Sequence, residues 1–526
     1  MNNKALIPVL VLLGALLVLP FALAPAEEKS ASGGDRAGEE TLVVVSAHNK
    51  ALRDEYQRAF SSWYLKKYGK TVHIDFRTPG GTSDIMRYIA DRYETEFRRL
   101  WESHPEWGPW TAAIGTSFAY ESACRTPEQK LARKRFLESD VGIGIDIFAG
   151  GGVFNHEQTA ARGYGVDAGL AQSHPEYFKV IPPSFGGDRL YDPKGRFYGV
   201  VLSTFGILYN TARLREMGGG TPVSWADLGA GRFFNTLAVA DPTKSGSANK
   251  CYEIMIQQCM ARHGDPVRGW QEGMELLKRI FGNARSISDS AGDVVRDVAT
   301  GEAAAGTAID TYGISEMLWS IHVNGKPDCI YVTPKGGTAV SADPVQMLRG
   351  APNKHVARAF IAFLLSREGQ LLHCLKPGTP GGPERNGINR PPIRRDLYTP
   401  ELRKNFFLPD YDPYASGADF VYRPQWTGRY YSLLRVLLRT VVLEPHQELK
   451  AAWGAIIASG GPEKVPQAAA RFYELPFSYR EIDRAAALLR VTPERTPAQI
   501  SATLRQWSDQ ARNNYREAAR LAALGK

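Results

Sequence analysis

Short β-branched apolar runs alternate with helical patterns from residue 41 onward. TLVVVS, residues 41–46, reads as a buried strand and runs into Ala47, His48 and Asn49. A helical pattern follows, with Leu52, Tyr56, Phe60 and Trp63 on one face. TVHIDFR alternates Val72, Ile74 and Phe76 against polar neighbours, which predicts a second strand. It ends in TPGGTSD, where Gly81 precedes Thr82 and Ser83, either of which can cap a helix carrying Ile85, Ile89, Tyr93 and Phe97. Two strand–loop–helix units in succession predict a parallel α/β sheet. Residues 101–140, rich in Trp and Pro and then charged, break that rhythm as an insertion. IDIFAGGG restores it with a third strand that ends in Gly150, Gly151 and Gly152.

The second half repeats the pattern. RFYGVVLSTFGILYN, residues 196–210, predicts two short strands or one bent strand with Ser203 and Thr204 at its middle. In ADPTKSGSANKCYEIMIQ, residues 240–257, a strand end leads through Ser245, Gly246 and Ser247 into a helix. A helix start leaves backbone N–H groups unpaired at the positive end of the dipole, which suits an oxyanion; a serine there also serves as a plain N-cap. GEAAAGTAIDTYG predicts a small-residue strand and a loop bearing Asp310, Thr311 and Tyr312. CIYVTP predicts another strand, followed by a turn, SADP, that holds Asp343. Helical patterns dominate from about residue 391 to the end. Five polar or glycine loops (SAHN, GGTSD, AGGG, SGSA and IDTYG) therefore follow strands, where parallel α/β sheets bind ligands.

A chain of 526 residues buries more than one core. Residues 5–26 are almost wholly apolar after Lys4 and end in Ala24, Pro25 and Ala26, the layout of a secretory signal peptide cleaved after Ala26; an uncleaved membrane anchor is the alternative. Residues 27–40 form a polar linker. The formal charge of +9 is mild for this length and contains no basic block, so nucleic acid is not an expected partner. Five scattered cysteines make no disulfide scaffold; Cys251 and Cys259 belong to one helical pattern, and a Cys329–Cys374 bridge has no support. HEQTA at 156–160 lacks the second histidine of a zinc-protease helix, and no G-x-S-x-G elbow is present. Ser245 or Ser247 with His48 would make a hydrolase pair lacking an evident orienting group, so no enzyme is expected.

VVVSAHN, DIFAGGG, FYGVVLSTFGILYN, PVSWADL, ADPTKSGSA and GEAAAGTAIDTYG, in this order over residues 41–375, resemble the periplasmic substrate-binding proteins of ABC importers, family 1, nearest its ferric-iron-binding group. The resemblance implies a type II, two-lobed α/β fold with hinge crossings near 199–206 and 309–332, a ligand in the cleft and an ABC permease as partner. Lobe 1 would comprise 41–202 and 330–390, lobe 2 would comprise 203–329, and 391–526 would be a helical extension that cradles the lobes or docks a partner. The location implied is periplasmic or secreted, the chain a monomer without a cofactor. In the ferric binders, a histidine after the first strand, a glutamate after the third and two adjacent tyrosines hold iron. Here His48 and Tyr312 match, but Thr311 replaces one tyrosine and Gly150 and Gly151 replace the glutamate, so iron or an iron–anion complex is the alternative ligand. The favoured ligand is a small molecule bearing phosphonate, phosphate-ester or carboxylate oxygens. Its expected contacts are His48, Asn49, Gly81, Thr82, Ser83, Gly150, Gly151, Gly152, Ser203, Ser245, Gly246, Ser247, Asp310 and Tyr312.

Overall fold

The computed structural model describes residues 39–490 and 495–526. The proposed signal peptide and most of the linker lie outside the described residues. Glu39 and Glu40, read from sequence as linker, already belong to the first strand.

The chain opens with β1 (Glu39–Ser46), α1 (Lys50–Tyr68), β2 (Thr71–Arg77) and α2 (Thr82–Glu102). After the 101–140 insertion come β3 (Ile147–Ala149), α3 (Val153–Arg162), β4 (Gly165–Val166), and a hairpin of β5 (Ser184–Phe185) and β6 (Asp188–Arg189). β7 (Tyr198–Ser203) and β8 (Phe205–Asn210) are separated by Thr204 alone. Next are β9 (Leu237–Ala240), α4 (Gly246–His263), α5 (Pro266–Gly282), β10 (Ala284–Ser288), α6 (Ala291–Ala299), β11 (Ala305–Ile309), α7 (Asp310–Asn324) and β12 (Cys329–Val332). β13 (Ser341–Leu348), α8 (Lys354–Leu365) and α9 (Arg367–Cys374) follow. The extension contains α10 (Tyr431–Leu438), α11 (His446–Ala458), α12 (Pro466–Tyr473) and α13 (Pro497–Ala523).

Two sheets organise these elements. The first runs β2-β1-β3-β13-β4 with β7 on β13, and the second runs β10-β9-β11-β8-β12. In each, three parallel strands abut an antiparallel strand that has just arrived from the other lobe: β13 beside β3, and β8 beside β11. This is the two-lobed α/β architecture that the resemblance implies. The first crossing falls at Thr204, inside the expected range. The second lies later than expected, at 333–340, because β12 pairs with β8 along Ile330–Tyr209 and Tyr331–Leu208. Residues 330–332 therefore belong to the second lobe.

The strands bury both faces, as their β-branched runs require. One face of the first sheet packs Leu42, Val44 and Ile147 against α1 and α8; the other packs Val45 and Phe148 against α2 and the insertion, through Phe97, Phe118 and Phe136. The core of the second lobe is continuous with the extension, joining Tyr252, Met255 and Leu277 to Leu437, Trp453, Phe472 and Tyr515. Lys278 of α5 pins this junction, its buried Nζ donating to the carbonyls of Phe472 at 2.9 Å and Glu474 at 2.8 Å. The extension thus cradles the second lobe. All five cysteines are free.

Candidate functional site

A cavity of about 760 Å³ lies between the lobes, with walls from the carboxyl ends of strands in both sheets. His48, Thr82, Gly150, Gly151, Gly152, Ser203, Gly246, Ser247 and Tyr312 line it. Four of the five loops flagged in the sequence supply first-lobe or second-lobe wall at helix starts, and the fifth, bearing Tyr312, proves to be the first turn of α7 instead of a loop.

The starts of α3 and α4 meet across the cleft. An ideal Cβ built on Gly246 would lie 3.9 Å from Asn155 Nδ2 of α3 and 3.8 Å from the Tyr431 hydroxyl. Both helix ends expose N–H groups with no intrahelical partner. Gly150, Gly151 and Gly152 all have positive φ, +86°, +98° and +79°. The first two also make room: a Cβ on Gly150 would sit 2.9 Å from His48 Nε2, and one on Gly151 2.5 Å from Thr82 Cγ2. The glycine run therefore lets the wall close around side chains as well as around a ligand.

Five of the expected contacts are not among the residues that line the cavity, each for a local reason. Asn49 caps α1, its Oδ1 accepting from Leu52 N–H at 3.0 Å. Gly81 is the exposed N-cap position of α2. Ser83 accepts from Arg435 Nη2 at 3.2 Å. Ser245 caps α4 by accepting from Ala248 N–H at 3.2 Å. Asp310 is fully buried behind the hinge, where it accepts from the Tyr411 hydroxyl at 2.8 Å. Burial pushes its carboxyl up to about 6.

Charged wall residues were largely missed from sequence. Asp343, assigned there to a turn, sits in β13 and is paired with the Arg390 guanidinium; its Oδ2 is 3.1 Å from His48 Nε2. Burial opposes ionisation of Asp343, but Arg390 and His48 outweigh it and hold the carboxyl well below the usual range. Lys250 of α4 lies with Nζ 3.2 Å from the centroid of the Tyr422 ring, 3.5 Å from Glu253 Oε2 and 3.6 Å from Asp188 Oδ2. Glu157 and Arg189 form a further pair at 3.8 Å, and burial pushes the Glu157 carboxyl up. Lys250 and Glu253 carried a usable signal, being charged residues in a helix otherwise buried nearly all round. Arg390 and Tyr422 carried none, because only the tertiary fold returns them to the cleft. His156 serves the core, stacked on Phe148 at 4.3 Å with Nε2 bonded to Gly150 O, and burial pushes its imidazole down to about 4.

Could the wall hold a metal? Among the described residues no group of three His, Cys, Asp or Glu side chains is placed to hold an ion. His48 Nε2, the nitrogen nearest the glycine run, is committed to Asp343.

Residues 145–383 match the model of a family described as bacterial extracellular solute-binding protein. The chain is similar to the solute-binding proteins of ABC importers. It is 29% identical over 173 residues to the phosphoglycerate transport regulatory protein PgtC of Salmonella typhimurium, a stretch covering 33% of this chain and 39% of that protein. The chain thus spans about two fifths of that relative's length. An uncharacterized protein of Haemophilus influenzae is 29% identical over 265 residues, covering 49% of this chain and 67% of its own. Among solved structures, the periplasmic binding protein AfuA of Actinobacillus pleuropneumoniae with fructose-6-phosphate bound aligns with a TM-score of 0.47 at 18% identity, over 76% of this chain and 99% of that one. Iron-bound HitA of Pseudomonas aeruginosa aligns with a TM-score of 0.47 at 15% identity, over 75% and 98%. The whole of the extension, 391–526, lies beyond the family match.

Proposed function

We propose that this chain is a periplasmic or secreted solute-binding protein that captures a small oxyanion-bearing ligand between its lobes and passes it, unaltered, to an ABC permease. One observation carries the reading: the N-terminal residues of α3 and α4 come together in the lining of a single cavity, Gly246 beside Asn155. Each offers backbone N–H groups and the positive end of a dipole, an arrangement suited to a phosphate or carboxylate group. Arg390 and Lys250 place cationic groups in the same wall, the first paired with Asp343 and the second with Asp188 and Glu253. The similarity to a phosphoglycerate transport regulatory protein supports a phosphorylated ligand. The iron alternative draws no support from the wall, where His48 and the nearest carboxylate, Asp343, are engaged with each other and with Arg390.

Micromolar affinity needs about 8 kcal/mol, within reach of a few charge-assisted hydrogen bonds in a cleft that excludes water. The test uses Gly246→Pro. Ser245, before it, is already extended at φ −102° and ψ 111°, and proline is well tolerated at the first helical position, so the fold should persist. The substitution deletes one N–H from the proposed anion site. Titration calorimetry should show inorganic phosphate or a phosphate ester binding at least ~10-fold more weakly, the loss of one charge-assisted hydrogen bond. Unchanged affinity for every oxyanion that binds would remove the α4 terminus from the site, and turnover of a bound compound would end the transport reading.

A further inference from the structure

Glu253 is completely buried, yet only half of its carboxylate is used. Oε1 accepts from the Tyr422 hydroxyl at 2.8 Å and from Thr427 Oγ1 at 2.6 Å, both donors belonging to the C-terminal extension. Oε2 has no hydrogen-bond partner, and Glu253 is among the residues that line the cavity. Asp188, 6% exposed on β6 of the opposite lobe, likewise leaves Oδ2 without a hydrogen bond. Lys250 Nζ stands between them at ion-pair distances of 3.5 Å and 3.6 Å, held under the Tyr422 ring. Two buried carboxylate oxygens, one from each lobe, therefore share a single ammonium as an ion pair and lack a hydrogen bond.

We propose that Asp188, Lys250 and Glu253 form a hydroxyl-binding subsite, completed by Tyr422 and Thr427 of the extension, and that the ligand is a phosphorylated polyol. This rests on the oxyanion reading above. A hydroxyl group fits the set because it donates to a carboxylate and accepts from an ammonium in one contact. A ligand ammonium would meet Lys250 as a like charge, and an apolar chain would leave both carboxylate oxygens buried and unpaired. Gly246, Lys250 and Glu253 sit at i, i+4 and i+7, on one face of α4. At 1.5 Å per residue the subsite lies about 10 Å along the axis from the anion-binding turn, a span that a six-carbon phosphate ester fills. The extension thus acts on specificity by fixing which oxygen of Glu253 remains free.

Titration calorimetry of the full chain with sorbitol 6-phosphate and hexyl phosphate isolates the hydroxyl groups on one carbon skeleton. The polyol ester should bind at least ~10-fold tighter, because the alkyl ester leaves buried acceptors unpaired. That ratio should fall toward one in Glu253→Gln, whose amide oxygen can still accept from Tyr422 and Thr427, and independently in Asp188→Asn. Equal binding of the two esters by the unmodified chain, or a ratio that neither substitution moves, overturns the subsite while leaving the oxyanion reading intact. Failure of both esters and of inorganic phosphate to bind overturns a phosphate as the bound oxyanion, and the subsite with it.

Discussion

Asp343 carries its charge inside a wall where burial alone would neutralise it. Arg390 and His48 reverse that balance, so its contribution to stability is full above the ordinary carboxylate range and is lost as pH falls below that range toward the depressed folded-state value. Asp310, whose backbone N–H donates to the hinge residue Thr204 O at 3.0 Å, has the opposite sign. Its hydrogen bonds to Tyr411 and to the Thr311 N–H do not offset burial, and its carboxyl is pushed up to about 6. The folded state then holds a proton that the unfolded chain releases near 4. The stabilising contribution is complete below about 4 and is lost as pH rises through 6. Asp310→Asn cannot titrate. The stability of the native chain relative to this variant should therefore drop by about 3 kcal/mol between pH 4 and pH 7, measured by urea unfolding at both values. A difference that stays constant across that window would show that Asp310 titrates normally.

At the scale of elements, the cleft is built from helix starts, and the glycines before α3 decide how closely two of them approach. Gly151 faces Thr82 on the first turn of α2, whereas a Cβ on Gly152 would meet nothing within 4 Å. Both have positive φ, so alanine strains the backbone at either position. Gly152→Ala should cost about 1 kcal/mol and Gly151→Ala about 2 kcal/mol more, from the collision with Thr82; paired urea titrations read the difference. Equal costs would mean that α2 yields freely. These elements were legible because their signals are local: Val72, Ile74 and Phe76 alternate, Ser245 and Asn49 are good caps, and three consecutive glycines mark a backbone that only glycine adopts. Cap residues proved a poor guide to ligand contacts for the same reason. A serine or asparagine whose oxygen closes its own helix has little left to offer a ligand, and Gly246 and Ser247, one step inside the helix, line the cavity instead. Asp343, Arg390 and Tyr422 were illegible because their partners lie tens to hundreds of residues away in the chain.

For the whole molecule, the number of connections between lobes governs how far the cleft can open. Crossings at Thr204 and at 333–340 are joined by a third, since the chain leaves the first lobe after α9 and enters the extension that packs on the second. On the way, Leu397, Phe406 and Phe407 pack with Cys374 and Leu375 of the first lobe and with Ile314 of the second. A hydrophobic cluster shared by both lobes behind the hinge resists wide opening, because separation exposes it to water. In front, Arg435 of α10 donates to the carbonyls of Pro242 and Thr243 and reaches across to Ser83 Oγ, while Tyr431 packs on Phe154 with ring centroids 4.3 Å apart. The extension therefore packs mainly on the second lobe and touches the first beside the cleft, through Arg435 and Tyr431. Arg435→Ala should shift the ligand-free chain toward open forms, seen as a larger radius of gyration in small-angle scattering. Ligand affinity should fall roughly three- to tenfold, because binding must now supply the closure that Arg435 favours. Saturating ligand should restore the native radius, since the hinge itself is untouched. If the variant scatters and binds like the native chain, Arg435 only anchors α10 to the second lobe, and closure rests on the cleft walls alone.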